Sequence, residues 1–334
     1  MKGMYQQLSS GERFTIERLF KQGYSKAHIA KVLDRHKSTI SREINRNWAG
    51  KKFHYNSSIA HNKAQDRLVN AHKRIRLKSP FLRKQVSELI QAGLSPQRIS
   101  GRLKLENNGS SVISHTAIYN WIHSQALHLE PSLLRSDIRR YHRHSPLASK
   151  SHIPHRVPIS QRPLGRLPGQ WESDLIVSKA SAPALQTCVE RFSRFLTITK
   201  LPNKTATANR LALIKTLSPF KCTSITYDNG IENTQHLLVN QALHSQSFFC
   251  EPYHSWEKGS IENRNGIIRQ YLPKSTDFNP ISQNLLSKIQ DSINHTPLKC
   301  LGYLSPAEVQ FNKKLSIIDL RDFLFHPKSL HPIH

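Results

Sequence analysis

The chain has 334 residues, 37% of them hydrophobic, with 49 Lys and Arg against 22 Asp and Glu and a formal net charge of +27. This length predicts two or three domains, and the excess of positive charge favours a polyanionic partner over a small-molecule substrate. The four widely spaced cysteines exclude a disulfide framework or a zinc ribbon, and the absence of a long apolar run excludes a membrane protein, so we expect a cytoplasmic protein.

The positive charge is unevenly distributed along the chain. Residues 1–170 contain 31 Lys and Arg against 9 Asp and Glu, whereas residues 171–334 contain 18 against 13. A basic first half joined to a nearly neutral second half is typical of a nucleic-acid-binding region followed by a catalytic or scaffolding region. General solubility is the alternative explanation.

Residues 1–50 form the first predicted domain, with three short helices within residues 8–47. Ser25 caps the second helix, and Ile40 and Ile44 face inward from the third. The outward face of the third helix carries basic and hydroxyl side chains, namely Lys37, Ser38, Thr39, Arg42 and Arg46. This pattern predicts a helix-turn-helix whose last helix enters the major groove of DNA. A small helical bundle for protein contacts is the alternative.

A basic helical connector is predicted over residues 51–80, and the helical pattern then recurs over residues 81–130. Pro96 opens one helix there and Ser114 caps another. We therefore expect a second helix-turn-helix with a less basic outward face. A packing or dimerising unit is the alternative for this domain.

A basic, proline-rich linker is predicted over residues 131–168. Residues 135–170 contain eight Lys and Arg, one acid and five prolines, a composition that cannot bury a core. Its arginines either follow DNA phosphates or belong to an inert tether.

Residues 169–315 change to a pattern of strands and helices in the order β-β-β-α-β-α-β-α, followed by a tail at residues 316–334. The predicted elements are Trp171–Val177, Ala184–Glu190, Phe195–Leu201, Thr205–Leu217, Thr223–Tyr227, Glu232–Leu243, Ser247–Cys250 and Ser260–Leu272. This order predicts a mixed five-stranded sheet with helices on both faces, as in a ribonuclease-H-like domain. The predicted fold is thus multidomain, with an all-α helix-turn-helix N-terminal region before an α/β ribonuclease-H-like catalytic core.

Three acids of this region have placements that suggest a common site. Asp174 lies in an apolar first strand, where an unpaired charge is costly to bury. Asp228 follows a later strand, and Glu262 lies 33 residues further on in a helix. Taken alone, Asp228 fits a simple turn and Glu262 fits an ordinary helix charge. Together they predict a site for Mg²⁺, or Mn²⁺, in which two metal ions support the breaking and joining of phosphodiester bonds.

Arg269 lies seven residues after Glu262, nearly two helical turns, and so shares its helix face. This spacing predicts a contact between Arg269 and a phosphate near the point of cleavage. A solvated arginine is the alternative.

The whole chain resembles bacterial insertion-sequence transposases of the DDE type, in the IS30 family. The motifs that carry the resemblance are Ser38-Thr-Ile-Ser-Arg-Glu-Ile, Ser95-Pro-Gln-Arg-Ile-Ser-Gly-Arg-Leu, Trp171-Glu-Ser-Asp174, Pro252-Tyr-His-Ser-Trp-Glu-Lys-Gly, Glu262-Asn-Arg-Asn-Gly and Leu304-Ser-Pro-Ala-Glu308. The resemblance implies that Asp174, Asp228 and Glu262 are the catalytic acids. It also implies binding to the terminal inverted repeats of the element and Mg²⁺-dependent strand cleavage and strand transfer.

The expected partners are double-stranded DNA, as inverted repeats and as target, and further copies of this chain, because two ends must be brought together. No small-molecule substrate is expected, and the protein should be associated with the nucleoid. Ser173, Asn233 and Ile261 stand where similar proteins usually have glycine, an aromatic residue and asparagine. A non-catalytic DNA-binding repressor derived from a transposase is the alternative, and a nuclease or virus-type integrase is a third possibility.

Overall fold

A computed structural model describes residues 7–47, 55–72, 77, 79–133, 153–251 and 255–330. The middle of the predicted linker, residues 134–152, lies outside the described residues, as do parts of the predicted connector and residues 252–254. The chain divides into two compact units, Met1–Ile75 and Arg76–His334.

The described part of the first unit is helical, as predicted. Its helices are α1 (Ser10–Lys21), α2 (Lys26–Val32), α3 (Lys37–Asn47) and α4 (Ser57–His72). The Ser9 and Ser25 side chains cap α1 and α2 by accepting hydrogen bonds from backbone N–H groups. Gly23 follows α1 with φ +82°, a left-handed conformation that glycine adopts without steric cost. The three predicted helices and the connector helix are therefore confirmed.

A buried polar cluster joins α1, α3 and the start of the chain leading into α4. Arg13 Nε lies 2.8 Å from Glu43 Oε1, and both side chains are less than 10% exposed. The hydroxyl of Tyr55 and the side-chain amide of Asn47 donate to the same carboxylate. Glu43 is the only acid of α3, so this pairing leaves the outward face of α3 with positive charge only.

The second unit begins with three more helices that agree with the predicted second helical domain. They are α5 (Pro80–Gln91), α6 (Pro96–Glu106) and α7 (His115–Gln125), and each has a serine cap. Their apolar faces form one buried cluster around Leu89, Ile99 and Ile118.

The remainder of the second unit is an α/β domain built on one mixed sheet. Its elements are β1 (Gln170–Val177), β2 (Ala184–Glu190), β3 (Leu196–Leu201), α8 (Ala206–Leu217), β4 (Ser224–Tyr227), α9 (His236–Leu243), β5 (Gln246–Phe249), α10 (Gly259–Tyr271), α11 (Gln283–His295), α12 (Pro306–Phe311) and α13 (Ile317–Arg321). The sheet order is β3-β2-β1-β4-β5, in which β1 runs antiparallel to β2 and parallel to β4. The predicted mixed five-stranded sheet is confirmed.

Both faces of this sheet are covered, because strand residues alternate between two buried clusters. On one face Ile176 and Leu185 pack against α10 and α11. On the other face Trp171 and Ile225 pack against α8 and α9. None of the described helices is long and apolar enough to cross a bilayer.

One predicted boundary was wrong. The sequence predicted a helix over Glu232–Leu243, but the structure has a 3₁₀ turn over Ile231–Asn233 and begins α9 only at His236. The Asn233 side chain donates to the carbonyl and to the carboxylate of Asp228, which holds this segment in a tight turn.

A buried ion pair connects the α5–α7 domain to the C-terminal helices of the second unit. The Arg102 guanidinium of α6 forms a bidentate pair with Glu308 of α12, at 2.7 and 2.8 Å, and also donates to the carbonyl of Tyr303. Both charged side chains are at most 2% exposed. Next to this pair, a Cβ added to Gly101 would lie 2.3 Å from the Tyr303 ring, so the close approach requires glycine.

We expect Glu308→Gln to destabilise the second unit by about 2–3 kcal/mol, because it removes the buried carboxylate that accepts both Nη donors of Arg102 and leaves the more exposed Glu106 as the counter-charge, while preserving the shape of the side chain. Thermal unfolding followed by calorimetry would measure the loss. The matched control is Glu88→Gln, which breaks the pair with Arg321, in which both partners are more than a third exposed. That change should cost less than about 1 kcal/mol. Equal effects of the two substitutions would contradict the prediction.

Candidate active site

Asp174 lies in the middle of β1, on the sheet face that packs against α10. Its Oδ1 is 3.3 Å from Lys258 Nζ, and its Oδ2 accepts a 2.7 Å hydrogen bond from the Asn265 side chain. Burial raises the pKa of the Asp174 carboxyl, and nearby Asp228 raises it further, whereas Lys258 opposes the shift. The Asp174 carboxylate therefore lies in the first strand, as predicted, and the nearby ammonium of Lys258 partly offsets the free-energy cost of burying its charge.

Asp228 follows β4, the parallel neighbour of β1. Because Glu172 pairs with Thr226, the register places Asp174 and Asp228 level with each other across the two strands. Asp228 accepts hydrogen bonds from the Asn233 side chain at 2.8 Å and from the Gly230 N–H at 3.3 Å. The structure thus brings together two of the three predicted acids.

Lys258, at the start of α10, lies between this pair and the protein interior. Its side chain is 7% exposed, and Nζ donates to the Ser173 carbonyl at 3.2 Å as well as contacting Asp174. Burial alone would lower the pKa of the Lys258 ammonium, but Asp174 and Asp228 raise it above its ordinary value. A fixed cation therefore sits beside both carboxylates.

A third carboxyl group near this pair is that of Glu232. Burial raises its pKa, and the charges of Asp228 and Asp174 raise it further. The three groups repel one another, and this repulsion is what a bound cation would relieve.

Glu262 is exposed in the first turn of α10, and Asn265, one turn further along, makes the contact with Asp174. Within the described residues, no group of three or more His, Cys, Asp or Glu side chains is placed to hold a metal ion. The three predicted acids are thus not assembled as one metal-binding group here, and the catalytic role of Glu262 stays a prediction.

The three positions that depart from the family pattern are each accommodated by the structure. Ser173 is buried. Asn233 bridges Asp228 and the side chain of Asn209. The side chain of Ile261 is fully buried in the core beneath α10. None of them displaces Asp174 or Asp228 from the arrangement described above.

Arg269 is half-buried near the end of α10 and bonds to backbone carbonyls. Its Nη2 donates to the carbonyl of Val177 at 2.6 Å, and its Nη1 donates to that of Pro273 at 3.3 Å. These bonds tie the end of α10 to the end of β1, a structural contribution that the sequence did not suggest. A phosphate contact of Arg269 stays a prediction.

The predicted DNA-reading residues lie on the outward side of α3. Lys37, Arg42 and Arg46 are exposed, whereas Ser38 and Thr39 are partly buried. The Arg42 guanidinium donates to the Ser38 hydroxyl at 3.1 Å, which orients the arginine along the helix. A contact of these side chains with DNA stays a prediction.

Sequence reasoning missed Lys258 and Asn265 as members of the site. Both lie in the quoted motifs around Glu262. Asn265 had a usable signal, because it lies three residues after Glu262 and so shares its helix face. Lys258 had none, because its contact with Asp174 spans 84 residues.

Comparison with known proteins identifies the same regions. A profile described as "Helix-turn-helix domain" matches residues 4–47. A transposase for insertion sequence element IS4351 from Bacteroides fragilis is 36% identical over 317 residues, which cover 91% of this chain and 95% of the relative. A transposase for IS1086 from Cupriavidus metallidurans is 34% identical over 91% of this chain and 94% of its own. Transposase InsI for IS30A from Escherichia coli is 33% identical over 84% of this chain and 77% of its own.

The chain belongs to the IS30 family of insertion-sequence transposases. Among solved structures, the catalytic core domain of BIV integrase aligns with 43% of this chain and 94% of its own at 18% identity, with a TM-score of 0.36. The resemblance inferred from the motifs is confirmed by the three relatives named above.

Lys258→Met should destabilise the second unit by about 1–3 kcal/mol, because Asp174 then lacks its cation beside Asp228. Urea unfolding without divalent metal would measure the change. Lys179→Met, which removes an exposed charge, is the control. The double variant Lys258→Met with Asp174→Asn should regain most of the loss, since both charges are gone. Simple additivity of the two single effects would contradict this coupling.

Proposed function

We propose that this IS30-family chain is a DNA transposase that binds the terminal inverted repeats of its insertion sequence and catalyses metal-dependent strand cleavage and strand transfer. The observation that carries the proposal is the level placement of Asp174 and Asp228 on adjacent parallel strands beside Lys258. Membership of the family supports it independently.

The residues present suit a hard divalent cation such as Mg²⁺, with Mn²⁺ as the alternative. Carboxylate oxygens are the ligands these ions prefer, and the ammonium of Lys258 already occupies the position of a cation against Asp174. We assign Asp174, Asp228 and Glu262 as the metal-holding acids. When bound, the metal would lower the pKa of the attacking hydroxyl and stabilise the leaving oxygen.

The side chains around these acids prepare them for that role. Asn265 fixes Oδ2 of Asp174, and Asn233 fixes Oδ1 of Asp228, so each carboxylate is held in a defined direction. Lys258 must withdraw from Asp174 before a metal ion takes its place. Its ammonium is then available to a DNA phosphate.

Anchoring of the DNA is assigned mainly to the first unit. We propose that α3 enters the major groove, where Arg42 contacts a base edge and the other basic residues contact phosphates. Assembly of two element ends requires more than one copy of the chain, so the active form is a homo-oligomer on DNA. Arg269 is assigned a phosphate near the cleavage point in addition to its structural bonds.

One observation favours the alternative of a non-catalytic DNA-binding repressor. Glu262 is exposed and is not gathered with the other two acids among the described residues. The two functions differ in whether the purified chain cuts and joins DNA, which the next experiment decides.

Asp228→Asn should abolish cleavage and strand transfer while leaving binding to the inverted repeat unchanged, because it removes a metal ligand but not a DNA contact. The measurement is the yield of cleaved and joined oligonucleotides with Mg²⁺, beside a gel shift with the same protein. Asp322→Asn, a change at an exposed acid of the C-terminal region, is the control and should retain activity. Retained strand transfer in Asp228→Asn would reject the assignment, and an inactive wild-type chain that binds the repeats would favour the repressor.

Arg42→Ala should weaken binding to the inverted repeat by roughly 1–3 kcal/mol if the guanidinium reads a base. Fluorescence anisotropy at physiological salt, with inverted-repeat and scrambled duplexes, would measure this loss of specificity. Arg18→Ala on α1 is the matched control, since it removes an equally exposed arginine from another helix of the same unit. If both variants lost affinity for both duplexes equally, α3 would not be the reading helix.

A further inference from the structure

A cavity of about 470 Å³ opens beside the acids, and we call it the arginine cavity. It is lined by four arginines, Arg166, Arg191, Arg194 and Arg264, and by two carboxylates, Glu172 and Glu257. It lies between the turn that joins β2 to β3 and the first turns of α10. Four cationic side chains around one cavity are an unusual concentration of like charge, because charges that are even partly buried are normally paired.

The carboxylates near the cavity do not neutralise these arginines. Two carboxylates face four guanidinium groups. Glu257 accepts a 2.9 Å hydrogen bond from the Glu251 N–H, and Glu172 Oε1 lies 3.3 Å from Arg191 Nε. That carboxylate also accepts a 3.0 Å hydrogen bond from the Ile261 N–H, so it is already engaged. An arginine does not shed its proton in a protein, which leaves the cavity with an excess of positive charge.

The arginines are fixed in place by neutral groups. Arg264 is 3% exposed and donates to the Arg194 carbonyl at 3.1 Å. Burial together with the charges of Arg98 and Arg194 lowers the pKa of Arg264 to about 10, which still leaves it charged at neutral pH. The guanidinium of Arg194 donates to the Ser260 hydroxyl. The guanidinium groups of Arg194 and Arg264 in the arginine cavity are therefore held in position before any ligand binds.

The backbone of Arg194 is also unusual, because its φ of +64° is left-handed. This conformation is unfavourable for a residue with a side chain, whereas glycine would adopt it freely. An arginine at this position therefore holds its side chain toward α10 in spite of local strain.

The arginine cavity lies next to the acids along a single strand. Glu172 and Asp174 are two residues apart on β1 and point to the same face of the sheet, so their backbones are about 7 Å apart. Ser260 and Glu262 share the first turn of α10. A DNA strand that reached Asp174 would pass the mouth of the cavity.

We propose that the arginine cavity binds one backbone phosphate of the DNA strand, next to the phosphate that reacts at the acids. The inference rests on the proposed function for the identity of the ligand. A phosphate matches the fork of guanidinium donors and the Ser260 hydroxyl, and it supplies the negative charge that the cavity lacks. Neighbouring phosphates of the same strand remain in solvent or at the acids.

The test measures binding of the full chain to a duplex of its own inverted repeat, in EDTA so that no cleavage occurs. Arg194→Gln and the exposed Arg166→Gln should each reduce the slope of log K against log salt by about one, as expected for the loss of one phosphate contact. Lys215→Gln, on the opposite face of the sheet, is the control and should keep the slope. Unchanged melting temperatures would show that the variants fold.

Single uncharged methylphosphonates, placed in turn at each phosphate around the cleaved position, would then locate the contact. One position should weaken binding of the wild-type chain and leave Arg194→Gln unaffected, because the contact is already lost. Unchanged salt slopes in both variants, or equal sensitivity of wild type and Arg194→Gln at every position, would overturn the proposal. Strand transfer by Asp228→Asn would reject the proposed catalytic function without touching this coupling, so the two failures are distinguishable.

Discussion

One buried and one partly buried carboxylate in the central strand, Glu172 and Asp174, are the constraint on which the α/β domain depends. Glu172 and Asp174 both point from β1 toward α10, and an uncompensated charge in that position costs several kcal/mol. The start of α10 supplies the compensation. Its Ile261 N–H donates to Glu172, and Lys258 and Asn265 contact Asp174. The position of α10 on the sheet is therefore set by charge as well as by apolar packing.

A series of hydrogen-bonded amide side chains positions the carboxylate of Asp228. The Gln186 side chain donates to Asn209, which donates to Asn233, which in turn donates to Asp228. All three amide side chains are buried, so each link lacks competition from water. The loop after β4 is thereby held in one conformation, and replacement of the usual aromatic residue by Asn233 adds a hydrogen bond to the acid.

The local features of this fold were predictable from the sequence because they depend on near neighbours. Ser25 and Ser114 cap the helices assigned to them, and the alternation of Trp171 and Ile176 between faces follows from strand geometry. The mixed five-stranded sheet also followed from the succession of elements, whereas the spatial order of its strands was not predicted. Helices α11 to α13 were not predicted.

Long-range pairing accounts for what the sequence did not reveal. Arg102 and Glu308 are 206 residues apart, and nothing in either motif indicates the other as its partner. The same holds for Lys258, whose cationic role depends on an approach to β1 that only the folded sheet defines. Glu262 illustrates the converse, because its sequence pattern is specific but its carboxylate lies exposed, apart from the pair formed by Asp174 and Asp228.

The acids around Asp174 and the neighbouring arginine cavity carry opposite charges. This difference suggests an order in which a DNA strand and a metal ion would bind. Around the acids, the charge of Asp228 raises the pKa of Asp174, and both charges raise the pKa of Glu232, with Lys258 beside the first two and Lys204 acting on the third. On the proposed function, a divalent cation would offset this negative charge and admit a phosphate. The arginine cavity, about two residues away, attracts a phosphate without any metal. A strand would therefore be captured first at the cavity and would reach the acids only as the metal neutralises them. On the proposed function, the arginine cavity binds the DNA strand and the acids support its cleavage. The short distance between the cavity and the acids then determines which phosphate is cut.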